Sequence, residues 1–75
     1  MEFKMFYKSQ VEVATALCEL IDLYWDNKIK EQFMIENIKK IVENNKDKVF
    51  KDNVYTSVVK QKCGKRRLDI ISKII

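Results

Sequence analysis

The sequence contains no histidine, the side chain that enzymes use most often for general acid–base catalysis and that many zinc sites use as a ligand. The two cysteines, Cys18 and Cys63, lie far apart and without a CxxC spacing, so neither a zinc site nor a thioredoxin-like redox pair is indicated. Neither a P-loop motif nor a GxGxxG motif is present to hold a nucleotide. The sequence therefore predicts a protein that is not an enzyme and uses no metal or cofactor.

Both cysteines are predicted to be reduced and to pack as small apolar side chains. Cys63 leaves a second interpretation open, because cations close to a thiol lower its pKa and make it reactive. The cations around it in sequence are Lys60, Lys62, Lys65 and Arg66.

Proline is also absent, and the one glycine, Gly64, comes late, so long helices are permitted up to about residue 44. Apolar residues make up 47% of the chain and charged residues 35%, a composition typical of a folded protein rather than a disordered one. We expect one domain, 1–75. A domain this short buries only about 60% of the surface of its unfolded chain, and a homodimer would add burial.

Long hydrophobic runs are missing, whereas a membrane-spanning helix needs about 20 apolar residues. Residues 1–6 carry Glu2 and Lys4 where a signal peptide would need an apolar stretch. We therefore expect a cytoplasmic protein with no membrane partner.

Two helices are predicted in the first half of the chain. Ser9 and Glu12 form a capping-box pattern before a helix from residue 10 to residue 25 or 26, and a second helix spans about residues 31–44. Asn45 is expected to end the second helix in the left-handed conformation that asparagine tolerates. A short link between the helices predicts an antiparallel hairpin that forms the core. The apolar stripes are Val13, Ala14, Leu17, Leu20, Ile21, Tyr24 and Trp25, then Met34, Ile38, Ile41 and Val42.

Outside these two helices, the sequence predicts further helix at the C-terminal end and two short segments that each allow two interpretations. Residues 49–55 are compatible with a small β-hairpin or an ordered loop, and residues 3–7 with a minor strand or an irregular arm that closes one end of the core. A third helix runs from Thr56 or Ser57 to Cys63, Gly64 ends or kinks it, and a fourth follows. The fold class is all-α, a compact domain of three to four helices with an N-terminal helical hairpin.

Charge divides the chain into an acidic and a basic part. Residues 1–37 carry seven acidic and four basic side chains, net minus three, whereas residues 38–75 carry four acidic and eleven basic ones, net plus seven. Such a basic segment attracts phosphate or an acidic protein surface. The candidate nucleic-acid-binding residues are Lys60, Lys62, Lys65, Arg66, Arg67 and Lys73.

Residues 56–75 have the outline of a helix-turn-helix, with Gly64 at the turn and Arg66 and Arg67 at the start of the second helix. These guanidinium groups would face bases or phosphates. The match is incomplete, because Lys60 occupies the position where the motif usually has a small residue. We expect a nucleic-acid-binding module, with DNA or RNA as its partner.

Two alternatives stay open. In the first, Arg66 and Arg67 are neutralised by carboxylates of the first helix, and the remaining cations form an ordinary solvated surface. The carboxylates in question are Glu19, Asp22 and Asp26. In the second, the protein is a protein-interaction or inhibitor module, which would show an exposed apolar patch that includes Trp25, Tyr24 or Phe33.

Exposed aromatic rings beside a basic patch would stack on the bases of a single strand. Phe50 and Tyr55 are the aromatic residues near the patch in sequence, although core packing is the more frequent fate of such side chains.

Two stretches, Tyr24-Trp25-Asp26-Asn27-Lys28-Ile29 and Gly64-Lys65-Arg66-Arg67-Leu68, resemble a family of small uncharacterised proteins from low-GC Gram-positive bacteria and their phages or mobile elements. The resemblance covers nearly the full length and implies no assigned activity and no catalytic residues. Small basic phage proteins of this kind are often regulators that bind DNA or inhibitors that bind a host enzyme. The resemblance therefore implies the same two functions as the charge pattern.

Overall fold

A computed structural model describes residues 3–75. Met1 and Glu2 lie outside the described residues, and so does part of the segment on which the expectation about a signal peptide rests. The all-α fold class with a small antiparallel hairpin is confirmed. One element was not predicted, the single-turn helix α3. The elements are α1 (Gln10–Trp25), α2 (Glu31–Asn44), α3 (Lys46–Val49), β1 (Phe50–Lys51), β2 (Val54–Tyr55) and α4 (Ser57–Ile74).

The start of α1 follows from two reciprocal side-chain hydrogen bonds. Ser9 Oγ accepts a hydrogen bond from the backbone N–H of Glu12 at 3.1 Å, and Glu12 Oε2 accepts one from the backbone N–H of Lys8 at 3.3 Å. The carboxylate therefore satisfies the donor one residue before the cap instead of the cap itself. At the other end, Asn27 takes a left-handed conformation with φ of 60° and turns the chain toward α2.

Helix α1 lies at the centre of the fold and contacts α2, α3 and α4. The apolar stripes of α1 and α2 are buried as predicted, except for Tyr24, which is half-buried, and Trp25, which is 40% exposed. The two-helix hairpin does not form the core alone. Val49, Val59, Cys63 and Ile71 complete it from α3 and both parts of α4.

Asn45 ends α2 differently from the prediction. Its φ is −135°, so the expected left-handed conformation is wrong, and its side chain is almost fully buried instead. Asn45 Nδ2 donates to the carbonyls of Met5 and Ile41, both at 2.7 Å, and its Oδ1 accepts from the backbone N–H of Tyr7 at 3.2 Å. One side chain thus fixes the N-terminal segment against α2, and residues 3–8 form an irregular arm rather than a strand.

Helix α4 is broken at Gly64, which has φ of 74° and ψ of 170°. The first part, residues 57–63, begins at Thr56, whose hydroxyl accepts from the backbone N–H of Val59 at 3.4 Å. The second part, residues 65–74, follows at once. The predicted kink is confirmed, but a break of one residue differs from the three- to four-residue turn of a helix-turn-helix, so the expected outline is not met.

We predict that Gly64→Ala destabilises the protein by about 1–3 kcal/mol, because alanine is strained at this positive φ. Apart from the adjacent backbone, no atom lies within 4 Å of the position that the new Cβ would occupy, so a clash with the rest of the protein contributes nothing. Urea unfolding measures the change, with Gln61→Ala as the control at an exposed position of the same helix. Equal stability of the two variants would show that the kink is not required.

Candidate nucleic-acid interface

The six predicted cationic residues do not form one surface. Lys60 and Lys62 are two residues apart on a helix, which places them about 200° apart around its axis. Arg66 and Lys73 are seven residues apart and share a face, where Lys65 lies beside them. We call the exposed residues Lys65, Arg66, Asp69 and Lys73 the C-terminal face; its three cations and one carboxylate leave a net charge of plus two.

Arg67 is turned toward the protein instead of the solvent. Its Nη2 and Nε donate to Asp22 Oδ1 at 2.7 and 3.0 Å, and its Nη1 donates to the carbonyl of Cys63 at 3.2 Å. The hydrogen bond with Asp22 raises the pKa of Arg67 further above its ordinary value. The alternative in which a carboxylate of α1 neutralises the cations therefore holds for Arg67.

The other five predicted cations have no such partner within residues 3–75, where the ion pairs are Arg67–Asp22 and Lys48–Asp47. Lys62 is nevertheless close to negative charge, because it lines a shallow groove together with Glu19 and Asp26. Its field is thus partly cancelled. The field of the C-terminal face is reduced by Asp69 and, at Lys73, by Glu31, which lines a second shallow groove together with Lys73.

Trp25 lies beside the C-terminal face. The guanidinium carbons of Arg66 and Arg67 are 5.3 and 5.4 Å from the centre of its ring, within the range of cation–π attraction. Trp25 and Asp22 are three residues apart on α1 and so share a face, which lets both contact Arg67. The helical pattern assigned Trp25 to the apolar stripe, but it is the last residue of α1 and lies beyond the buried part of that stripe.

Phe50 and Tyr55 pack against the core, the more frequent fate of such side chains, and do not form a platform for bases. Their rings stack on each other with centres 4.9 Å apart, and both side chains are half-buried. The hydroxyl of Tyr55 is also hydrogen-bonded to Ser72 Oγ at 2.7 Å. These aromatic residues hold the β-hairpin to α4.

The two cysteines meet between α1 and α4, with their sulfur atoms 3.1 Å apart. Burial raises the pKa of Cys63 to about 12, and its contact with Cys18 adds to this effect, whereas Arg67 lowers the pKa by less. The interpretation of Cys63 as a thiol activated by nearby cations is therefore wrong. Spacing in the sequence gave no sign of the pair, because 45 positions separate the two residues.

Among residues 3–75, no three side chains of the types that bind metal converge on one point. Within the same part of the chain, no helix combines the length and the apolar content that a bilayer crossing requires.

A family model described as a conserved hypothetical protein matches residues 4–75, nearly the whole chain. No curated protein and no solved structure matches the chain.

Proposed function

The chain belongs to this family of conserved hypothetical proteins, and we propose that it is a nucleic-acid-binding module and not an enzyme. The observation that carries the proposal is the C-terminal face, where Lys65, Arg66 and Lys73 are exposed and have no ion-pair partner within residues 3–75. Phosphate contacts of this kind supply most of the affinity of sequence-independent binding.

Arg66 is the leading contact residue. Its guanidinium lies over Trp25, which restrains the side chain before any ligand arrives and reduces the entropy lost on binding. Lys65 and Lys73 extend the contact along the helix. Arg67 is a positioning residue in this proposal, because its charge is already matched by Asp22.

Salt dependence of binding tests the proposal. We expect a fluorescein-labelled 20-base-pair duplex to bind at low salt, and the slope of log affinity against log salt to be about −2.7 for three phosphate contacts, at about −0.9 each. Arg66→Ala and Lys65→Ala should each reduce the slope by about one contact. Fluorescence anisotropy gives both quantities, and a single-stranded oligonucleotide of the same length is titrated in parallel.

Lys46→Ala is the matched control, because it removes the same charge from an exposed position on a different helix. It should leave the slope unchanged. The proposal fails if neither oligonucleotide binds at low salt, or if Lys46→Ala weakens binding as much as Arg66→Ala does.

The alternative is a protein-interaction or inhibitor module that acts on a host protein. It is favoured by Trp25, since an exposed tryptophan beside two arginines has the composition of an interface hot spot. A pull-down with and without nuclease separates the two functions. One protein band that resists nuclease and is lost with Trp25→Ala would support the alternative. An origin in low-GC Gram-positive bacteria or their phages, and a cytoplasmic location, remain predictions.

A further inference from the structure

The contact between Cys18 and Cys63 has a use beyond packing. Their sulfur atoms are 3.1 Å apart, and a closure of about 1 Å would bring them to the length of a disulfide bond. Both thiols are free, and Cys18 also donates to the backbone carbonyl of Lys62 at 3.5 Å. The fold has thus placed two thiols from distant parts of the chain where a small movement joins them.

The two thiols differ in access to solvent. Cys63 is 1% exposed, whereas Cys18 is half-buried and lines the shallow groove between α1 and α4. A small molecule in that groove reaches Cys18 first. Of the charged side chains that line the groove, three are carboxylates and two are cations, a balance that favours an uncharged reagent over an anionic one. They are Glu19, Asp22 and Asp26, with Lys62 and Arg67.

We propose that Cys18 and Cys63 form a reversible redox pair that is oxidised by low-molecular-weight disulfides, with Cys18 as the attacking thiol and Cys63 as the resolving thiol. The thiolate of Cys18 attacks one sulfur of the reagent, which gives a mixed disulfide and releases one thiolate. The released thiolate takes the proton of Cys63, whose sulfur then attacks the Cys18 sulfur and releases the second thiolate, which is protonated from water. The protein loses two electrons and two protons, and the reagent leaves as two thiols.

The bond would join α1 to the first part of α4, one residue before the kink at Gly64. The carbonyl of Cys63 accepts a hydrogen bond from Arg67, which anchors the second part of α4 to Asp22. The disulfide bond would therefore also restrain Arg67. Oxidation therefore locks the position of α4 on α1 without new contacts elsewhere.

The experiment uses bis(2-hydroxyethyl) disulfide, an uncharged probe, on the reduced full-length protein. We expect the intact mass to fall by two hydrogen atoms with no retained adduct, and peptide mapping to recover a cross-link between the peptides that hold Cys18 and Cys63. Thermal unfolding should shift upward by about 10 °C or more, because the bond closes a long loop of the unfolded chain. Reduction with a phosphine should reverse the mass change and the shift.

Two variants test the order of attack. Cys63→Ala should stop at the mixed disulfide and keep one adduct on Cys18, whereas Cys18→Ala should react at least tenfold more slowly than the wild-type protein, because the buried thiol is its only target. The wild-type mass and peptide map decide the proposal even if a variant folds poorly. A wild-type protein that retains the adduct, forms a cross-linked dimer or fails to react in the native state would overturn it.

Discussion

Replacement of Asn45 by alanine is expected to lower the free energy of unfolding by about 3 kcal/mol, because one buried and two partly buried hydrogen bonds are lost together and each partner left unsatisfied adds a desolvation cost. The affected partners are the carbonyls of Met5 and Ile41 and the backbone N–H of Tyr7. The total free energy of unfolding of a domain of this length is only about 4–11 kcal/mol. The substitution would therefore remove a large share of the stability, which urea unfolding measures.

Asn44→Ala is the matched control. Asn44 is the preceding residue, and its side chain also donates to a backbone carbonyl, that of Lys40 at 2.9 Å, but it is exposed. Its loss should change stability by about 0.5 kcal/mol or less. Faster proteolysis within residues 3–8 in Asn45→Ala alone would show that the arm is released. Equal costs for the two variants would contradict the bridging role of Asn45.

The local part of the fold was readable from the sequence. Ser9 and Glu12 mark the start of α1, the apolar stripes give the bounds of α1 and α2, and Gly64 marks the break in α4, because each of these signals acts within a few residues. The single turn α3 was missed, since four residues are too few to show a helical period. Asn45 was assigned the wrong conformation because its partners include the N-terminal arm, 38 and 40 positions away.

The candidate site was predicted less well, for the same reason. Periodicity shows which side of a helix points inward, but it does not show which residue of another helix lies opposite. The contacts of Arg67 with Asp22, of Arg66 with Trp25 and of Cys18 with Cys63 all join α1 to α4. Five of the six candidate cations are exposed, but they do not share one surface, and the sixth, Arg67, holds the two helices together.

Helix α1 thus meets α4 through two adjacent contacts, the ion pair between Asp22 and Arg67 and the thiol pair of Cys18 and Cys63. Asp22 binds Arg67, and Arg67 binds the carbonyl of Cys63, so the ion pair and the thiol pair are linked by a single hydrogen bond. Both features bear on the proposed functions. The ion pair orients the helix that carries the C-terminal face, and the thiol pair offers a covalent means to hold that orientation.

The reduced protein is expected to lose stability as the pH rises from 9 toward 12, because Cys63 must remain protonated to stay buried. Its pKa is raised from 9.0 to about 12 by burial first, then by Cys18 and by the charge of Asp22, against the opposing charge of Arg67. Between these values the unfolded state binds fewer protons than the folded state, so the free energy of unfolding falls by about 1.4 kcal/mol per pH unit. Below pH 9 the contribution is fully present.

Cys63→Ala isolates this effect, because every other ionisable side chain is present in both proteins. Tyr7, whose pKa burial also raises, contributes equally to the two curves. Urea unfolding at several values between pH 8 and pH 10.5, with a phosphine present to keep the thiols reduced, should give a slope in the wild-type protein that exceeds that of the variant by about 1.4 kcal/mol per pH unit above pH 9. The loss of packing in the variant lowers its whole curve but does not change the slope. Parallel curves would mean that Cys63 ionises in the folded protein as readily as in the unfolded one, and that its packing against α1 does not shield it from solvent.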